Sequence, residues 1–396
     1  FVMAYILVYI DWYGDFTLDK IPFNDVDNLI FTQLCFADFS EIVPTEAQYG
    51  SISIADAAEK FLEFGRDKNV NMGVLVPNHV VDLFLKMAQS ERYKNMRLAK
   101  YIDEIDSEKQ QQFSAVTIIL GDGTNYIAFR GTDDTIVGWK EDFNMSFITP
   151  VPSQISGVEY VNRVADSLSG ALILGGHSKG GNIAVFSGIY CKGDVKDRII
   201  KIYNNDGPGF TNDILTTPDY LRISDRVKTI IPESSVVGML LEHDEKYTIV
   251  KSKQLGILQH DAFTWEVLGP RFVVSEERST YSEIADMALR TWINSLDGDE
   301  RLLFVDTLFD LLECTDATTL TGFNSNKLKA ASGVIKTIKN MSEEQRNGMM
   351  KIVGALFKDS AMAINAVLNE NHNKKKHSRS SRSIKLIVRH KNKKSE

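Results

Sequence analysis

Gly176-His177-Ser178-Lys179-Gly180 sets a serine between two glycines. An apolar run, Ala171-Leu172-Ile173-Leu174, precedes it, and Gly181-Asn182-Ile183-Ala184-Val185-Phe186 follows. This order predicts a strand, a sharp turn and a helix, a junction that lifts a serine hydroxyl onto the rim of a sheet. The glycines fit that geometry, because a serine held in a strained backbone conformation needs neighbours without a Cβ. The helix start beneath it offers unpaired N–H groups and positive dipole character to a developing oxyanion. The chemistry to expect is attack by a serine hydroxyl, which needs a base to take its proton and a third group to orient the base.

Five histidines follow Ser178, and three of them, His372, His377 and His390, lie in or beside a basic C-terminal stretch. His243 and His260 remain, separated by an expected strand at Tyr247-Thr248-Ile249-Val250. Reactive loops gather at the carboxyl ends of sheet strands, so His260, after that strand, is the preferred base. Two carboxylates compete for the third role. Asp206 directly follows an expected strand, Ile199-Ile200-Lys201-Ile202-Tyr203. Glu233 follows the next one, Val227-Lys228-Thr229-Ile230-Ile231. Asp206 is preferred and Glu233 is the alternative. The plainer role for Asp206 is a turn residue bonding backbone N–H groups ahead of Gly207-Pro208.

The elements that must hold these residues follow from periodicity. Residues 1–112 read as a mainly helical N-terminal region packed on the core. Asn24 caps a helix over Phe23–Ile30, with acids in its first turn. Ala88-Gln89-Ser90-Glu91-Arg92-Tyr93 begins a polar helix expected to reach about Glu108. Over 113–275 the pattern changes. Ala115–Leu120 and Tyr126–Phe129 form a hairpin about Gly121-Asp122-Gly123-Thr124-Asn125. Val161, Val164, Ala165 and Leu168 mark one face of a helix. The helix after Ser178 is apolar on most sides and belongs inside a larger structure. Strands alternating with helices imply an α/β fold with a mostly parallel sheet covered on both faces. Residues 276–370 read as a helical C-terminal region. There Ser342-Glu343-Glu344-Gln345 fits a capping box, and Met349, Ile352, Val353, Leu356 and Phe357 form a packing stripe. Residues 371–396 read as a basic disordered tail.

Composition narrows the class. The 396 residues are 43% hydrophobic and 25% charged, ordinary for a soluble globular chain with a sizeable core. No run of apolar residues is long enough to span a membrane. The apolar opening Phe1–Ile10 lacks the basic start and cleavage site of a signal peptide. Three scattered cysteines, Cys35, Cys191 and Cys314, argue against a disulfide framework and for a reducing compartment, hence a cytoplasmic location. Neither a zinc-type cluster nor a glycine-rich phosphate loop is present, so no metal and no cofactor is expected. The net charge of −8 hides an asymmetry. From Lys374 onward there are ten Lys and Arg against the single acid Glu396, while the rest carries 35 bases against 52 acids. The tail's charge suits peripheral contact with anionic surfaces, or a solvated tail resting on the acidic body, which is preferred. No specific nucleic-acid partner is expected.

Phe129-Arg130-Gly131-Thr132-Asp133, Trp139-Lys140-Glu141-Asp142 and Gly176-His177-Ser178-Lys179-Gly180-Gly181 resemble the signatures of class 3 lipases, which are α/β-hydrolases. Closer still is the likeness to an uncharacterised bacterial branch of lipase-like α/β-hydrolases. It is carried by Asp11-Trp12-Tyr13-Gly14-Asp15, Pro22-Phe23-Asn24, Asp206-Gly207-Pro208-Gly209-Phe210 and Gln259-His260-Asp261. The resemblance covers residues 5–270 and implies an α/β-hydrolase core with the chain order serine, acid, histidine. It supports His260 as base. It also implies an oxyanion hole made by the N–H groups of Thr132 and Lys179, and a lid or pocket wall at residues 133–147. The chain departs from the lipase pattern at Pro232-Glu233-Ser234-Ser235-Val236-Val237-Gly238, where the family's aspartate is missing and Ser235 falls at its place. Lys179 stands where lipases usually carry an apolar residue; its charge would draw an anionic substrate or, preferably, point into solvent.

The resulting expectation is a serine esterase cleaving a lipid-like or acyl ester through an acyl-enzyme on Ser178, with thioesters and amides left open. The alternative is a catalytically weak or inactive α/β-hydrolase-fold interaction protein, motivated by the missing aspartate and the helical C-terminal region.

Overall fold

The computed structural model describes residues 5–67, 79–133, 135–145, 148–296, 298–313, 343, 346 and 347. The capping box at Ser342, the stripe behind it and the basic tail lie outside the described residues.

Among the described residues, eight strands form one sheet in sequence order: β1 (Ile52–Ser53), β2 (Arg97–Asp106), β3 (Gln111–Ile119), β4 (Thr124–Phe129), β5 (Ala171–His177), β6 (Ile199–Asn205), β7 (Val227–Pro232) and β8 (Thr248–Val250). Pairs from β1 to β4 are antiparallel and those from β4 to β8 parallel. The helices are α1 (Ile6–Tyr13), α2 (Asp25–Leu34), α3 (Ile54–Glu63), α4 (Val80–Gln89), α5 (Ile136–Met145), α6 (Pro152–Ser167), α7 (Lys179–Tyr190), α8 (Gly193–Arg198), α9 (Asn212–Leu215), α10 (Pro218–Leu221), α11 (Thr280–Ser295) and α12 (Gly298–Glu313). Among the described residues, no helix is long and apolar enough to cross a membrane.

Parallel neighbours need crossovers, and a strand order that never reverses puts crossovers of one hand on one face. Here that face carries α6 and α7, which pack on each other and on β3 to β6. The opposite face would be bare without the N-terminal helices, and α2 lies on β4 and β5 there. Strand alternation feeds both layers. Leu172 and Leu174 of β5 join Tyr160, Val164 and Ile183 under the crossover helices. Ile173 between them joins Leu29, Phe31 and Tyr126 under the N-terminal helices. The α2 helix starts as expected: the Asn24 side chain accepts from the Val26 N–H, and Asp27 accepts from the Asn24 N–H, each at 3.0 Å.

The hairpin of β3 and β4 turns at Gly121 and Gly123, both at positive φ. One expectation fails. The polar helix placed from Ala88 to about Glu108 is absent; α4 ends at Gln89 and residues 97–106 are β2. The β2–β3 register shifts between Ala99 and Ile102, where buried Lys100 sits at φ 59°. Such a bulge interrupts the two-residue alternation that marks a strand, and the Lys, Glu and Asp around it are residue types depleted in strands.

Candidate active site

The serine turn is built as its glycines predict. Ser178 leaves β5 at φ 58°, ψ −131° and α7 begins at the next residue. That non-glycine strain persists only because the surroundings fix it. The Ser178 N–H donates to Asn205 O of β6 at 2.9 Å, and its carbonyl accepts from the Gly181 N–H at 2.9 Å. A Cβ on Gly176 would lie 2.0 Å from the Gly180 carbonyl carbon, and one on Gly180 would lie 2.2 Å from Phe129 O. Strand and helix therefore pass too closely for any side chain at either position.

Asp206 comes off the end of β6 with φ 52°, fully buried. Its neighbours hold it against the serine turn. The Gly207 N–H donates to Asn204 Oδ1 at 2.9 Å, and a Cβ on Gly207 would lie 2.2 Å from Ser178 O. Asn182 of α7 donates to the carbonyls of Pro208 and Gly209 at 3.2 and 2.9 Å. From the other face, Asn28 of α2 donates to Asn205 Oδ1 at 2.9 Å. Asn205 in turn donates to Gly176 O at 3.0 Å.

His260 reaches this edge from the loop after β8. Its Nδ1 lies 2.7 Å from Asp206 Oδ2. A carboxylate only accepts, so Nδ1 carries the proton; in the neutral ring this leaves the lone pair on Nε2, the tautomer a general base needs. The ring lies 4.6 Å, centroid to centroid, from that of His177, the residue before Ser178. His177 Nε2 donates to the His260 carbonyl at 2.9 Å. Among the two candidate acids, the one bonded to His260 is Asp206. Glu233 instead uses its backbone, donating to Val250 O and accepting from the Ser279 N–H. His243 sits elsewhere, with Nδ1 3.1 Å from Glu245 Oε1. Burial pushes the Glu245 carboxyl up, but the bonds from His243 and Thr229 outweigh it and hold the group at about 2.

Burial, with the neighbouring His260 ring, keeps the His177 imidazole well below its ordinary 6.5. The unfolded chain takes up a proton near that value that the folded chain refuses, so stability is full above it and falls as the medium acidifies. Melting temperature is expected to drop from about pH 7 to pH 5, and His177→Gln is expected to flatten that slope. An identical slope in the variant would contradict the assignment.

Thr132 lies at the head of β4's continuation, beside the serine: a Cβ on Gly131 would be 3.3 Å from Ser178 Cβ. The Arg130 fork fixes this segment, holding both oxygens of Asp103 at 2.7 and 2.9 Å. The Thr132 hydroxyl donates to Asp142 Oδ2 of α5. Burial pushes the Asp142 carboxyl up to about 6, against the pull of Lys179 and Thr132, and its Oδ1 is buried without a hydrogen-bond partner. The sequence flagged Trp139–Asp142 as a motif but not this contact.

Lys179 corrects an expectation. It opens α7, so its N–H is one of the helix start's unpaired donors, but its side chain does not point into solvent. It is buried, with Nζ 2.9 Å from Gln112 O, 2.7 Å from Gln112 Oε1 and 3.1 Å from Glu141 Oε2. Glu141, also fully buried, accepts from the Gln112 and Ser153 N–H groups at 3.0 and 2.8 Å. A buried pair so fully bonded is costly to break from one side. It pins α5 to β3, α6 and the serine helix. The outer side of α5 meets α12 through Phe143 on Phe309, 5.7 Å between centroids, and Lys140 on Asp306 at 3.2 Å. Among the described residues, no cluster of three or more His, Cys, Asp or Glu could hold a metal.

A mostly parallel sheet with both faces covered, a serine at the strand–helix turn of its central strand, and an acid–histidine pair at the same edge define an α/β-hydrolase fold. The Mbeg1-like family matches residues 87–310, more than half of the chain, and the chain belongs to that family. The match continues past β8 through α11 and most of α12. Among curated proteins none matches the chain. Among solved structures, a fungal lipase–inhibitor complex described in connection with interfacial activation is 14% identical. That likeness covers 57% of this chain and 77% of the other, with TM-score 0.33. M37 lipase is 12% identical over 53% of this chain and 68% of its own, with TM-score 0.31. The fold rests on the sheet and the serine turn, not on these distant likenesses.

Proposed function

We propose that this protein is a serine hydrolase that cleaves a carboxylic ester, lipid-like or otherwise acyl, through an acyl-enzyme on Ser178. In this reading His260 Nε2 takes the hydroxyl proton as Ser178 attacks the carbonyl carbon, then returns it to the leaving alcohol. It next removes a proton from water, which releases the acid and restores the serine. Asp206 fixes the imidazole tautomer and faces the imidazolium that forms. The N–H groups of Thr132 and Lys179 receive the oxyanion, and Asp142 holds the Thr132 side chain in place. No cofactor enters the scheme. The wall of the site is α5, held by its buried ion pair.

The observation that carries the reading is the 2.7 Å bond between His260 Nδ1 and Asp206 Oδ2 beside a strained Ser178. Strain in a non-glycine residue needs compensation from its surroundings and collects at working sites. The lipase-type aspartate is absent after β7, and Asp206, one strand earlier, supports the catalytic reading over an inactive module.

The test is pre-steady-state hydrolysis of p-nitrophenyl esters of graded acyl length. One equivalent of nitrophenol per protein is expected in a burst before steady turnover, the mark of an accumulating acyl-enzyme. Turnover that is absent across all lengths, or equal in Ser178→Ala, would contradict the proposal.

A further inference from the structure

The loop after β7, Glu233–Gly238, bonds to Asp206 and to Gln259, the residue before His260. Ser235 is buried, and its hydroxyl donates to Asp206 Oδ1 at 2.5 Å, the oxygen not used by His260. The Gly238 N–H reaches the same oxygen at 3.2 Å. One residue earlier, the Ser234 N–H donates to Gln259 Oε1 at 2.7 Å, and Gln259 is the neighbour of His260. The loop does not hold itself. The Ser282 hydroxyl of α11, fully buried, donates to Ser235 O at 2.6 Å. Ser279, just ahead of α11, donates its N–H to Glu233 O at 2.7 Å and meets Ser234 Oγ at 2.7 Å.

We propose that Ser235 is a positioning residue that orients the Asp206 carboxylate toward His260, and that α11 is the anchor keeping Ser235 in place. The inference rests on the serine-hydrolase reading and assigns a task to the helical region beyond the lipase-like segments. A carboxylate on a single rotatable bond can swing. With Oδ1 tied from β7's loop and Oδ2 tied to the imidazole, its plane is fixed, and a charge-assisted bond of this kind is among the stronger ones. The place where lipases carry their acid is thus kept, but as a hydroxyl that serves an acid on the preceding strand. Ser282 acts one step further out, because its bond to the Ser235 carbonyl sets the backbone that aims the Ser235 hydroxyl. The family match, which runs on to residue 310, includes both serines of this link.

The experiment uses the full chain and its Ser235→Ala and Ser282→Ala variants, with ester turnover and the His260 Nδ1 proton resonance as readouts. Ser235→Ala is expected to lower kcat roughly ten- to hundredfold, from loss of one hydrogen bond to a charged group, with KM within about twofold. Ser282→Ala is expected to lower kcat roughly two- to tenfold. Both variants should move the far-downfield Nδ1 proton signal that a histidine bonded to a carboxylate gives, a shift that simple loss of stability would not produce in a folded sample. If Ser235→Ala does not fold, Ser282→Ala carries the test, since it leaves the Ser235 hydroxyl in place. Unchanged kcat and an unmoved resonance in both variants, with the wild type active, would overturn this inference and leave the hydrolase reading standing. A wild type without turnover would defeat that reading, while the resonance would still report whether Ser235 orients the pair.

Discussion

Ser178→Ala is expected to reduce kcat for any ester the wild type turns over by about a millionfold, with the protein still folded. Only an oxygen is lost, from a side chain that is not fully buried, and the strained turn is held by glycine packing and by the bond from the Ser178 N–H to Asn205 O. The loss is therefore chemical: no hydroxyl remains to form the acyl-enzyme, and only direct attack by water on the ester is left. His260→Ala should cost nearly as much, and the double variant little more, because the two act as one unit. A double variant whose loss equals the product of the single losses, in steady-state kinetics, would mean that they act independently and would break the account.

The second large effect separates the two carboxylates. Asp206→Asn is expected to lower kcat by about ten-thousandfold, while Glu233→Gln stays near wild type. The reason is the tautomer. Asp206 Oδ2 accepts from His260 Nδ1, which leaves Nε2 able to accept from the serine. An amide can present its NH2 to Nδ1, drive the proton to Nε2 and turn the base into a donor. Glu233 has no such link, since the carboxylate bonded to His260 is Asp206. Equal losses in the two variants, or a larger loss in Glu233→Gln, would reassign the acid.

What the sequence could disclose was what is local. The serine turn needs only a strand, two glycines and a helix in succession, all within Ala171–Phe186, and it folds as that succession implies. Asn24 as a helix cap, the β3–β4 hairpin and the position of Asp206 at the end of β6 are of the same kind. Strand ends also favoured His260 over His243, and it is His260 that meets Asp206. The residues that stayed hidden depend on contacts across long stretches of chain. Nothing near Lys179 announces that Glu141 and Gln112 will bury its ammonium, so a lysine beside the serine looked solvated. Asp142 lay in a recognised motif, but its bond to Thr132 exists only once α5 folds back against β4's end. Ser235 falls where the lipase pattern has its aspartate, and its bond to Asp206 stays hidden because a hydroxyl bonded to an acid on another strand has no linear signature. In β2 the obstacle was local: a bulge at Lys100 broke the alternation, and a charged composition then favoured a helix.

The central claim is that Ser178 is a nucleophile activated by His260 and Asp206. Labelling with a fluorophosphonate, followed by peptide mapping, tests it most directly. The account predicts one adduct per chain, on Ser178, formed far more slowly in His260→Ala and Asp206→Asn. An adduct on another residue, or labelling of Ser178 at the wild-type rate in both variants, would contradict it.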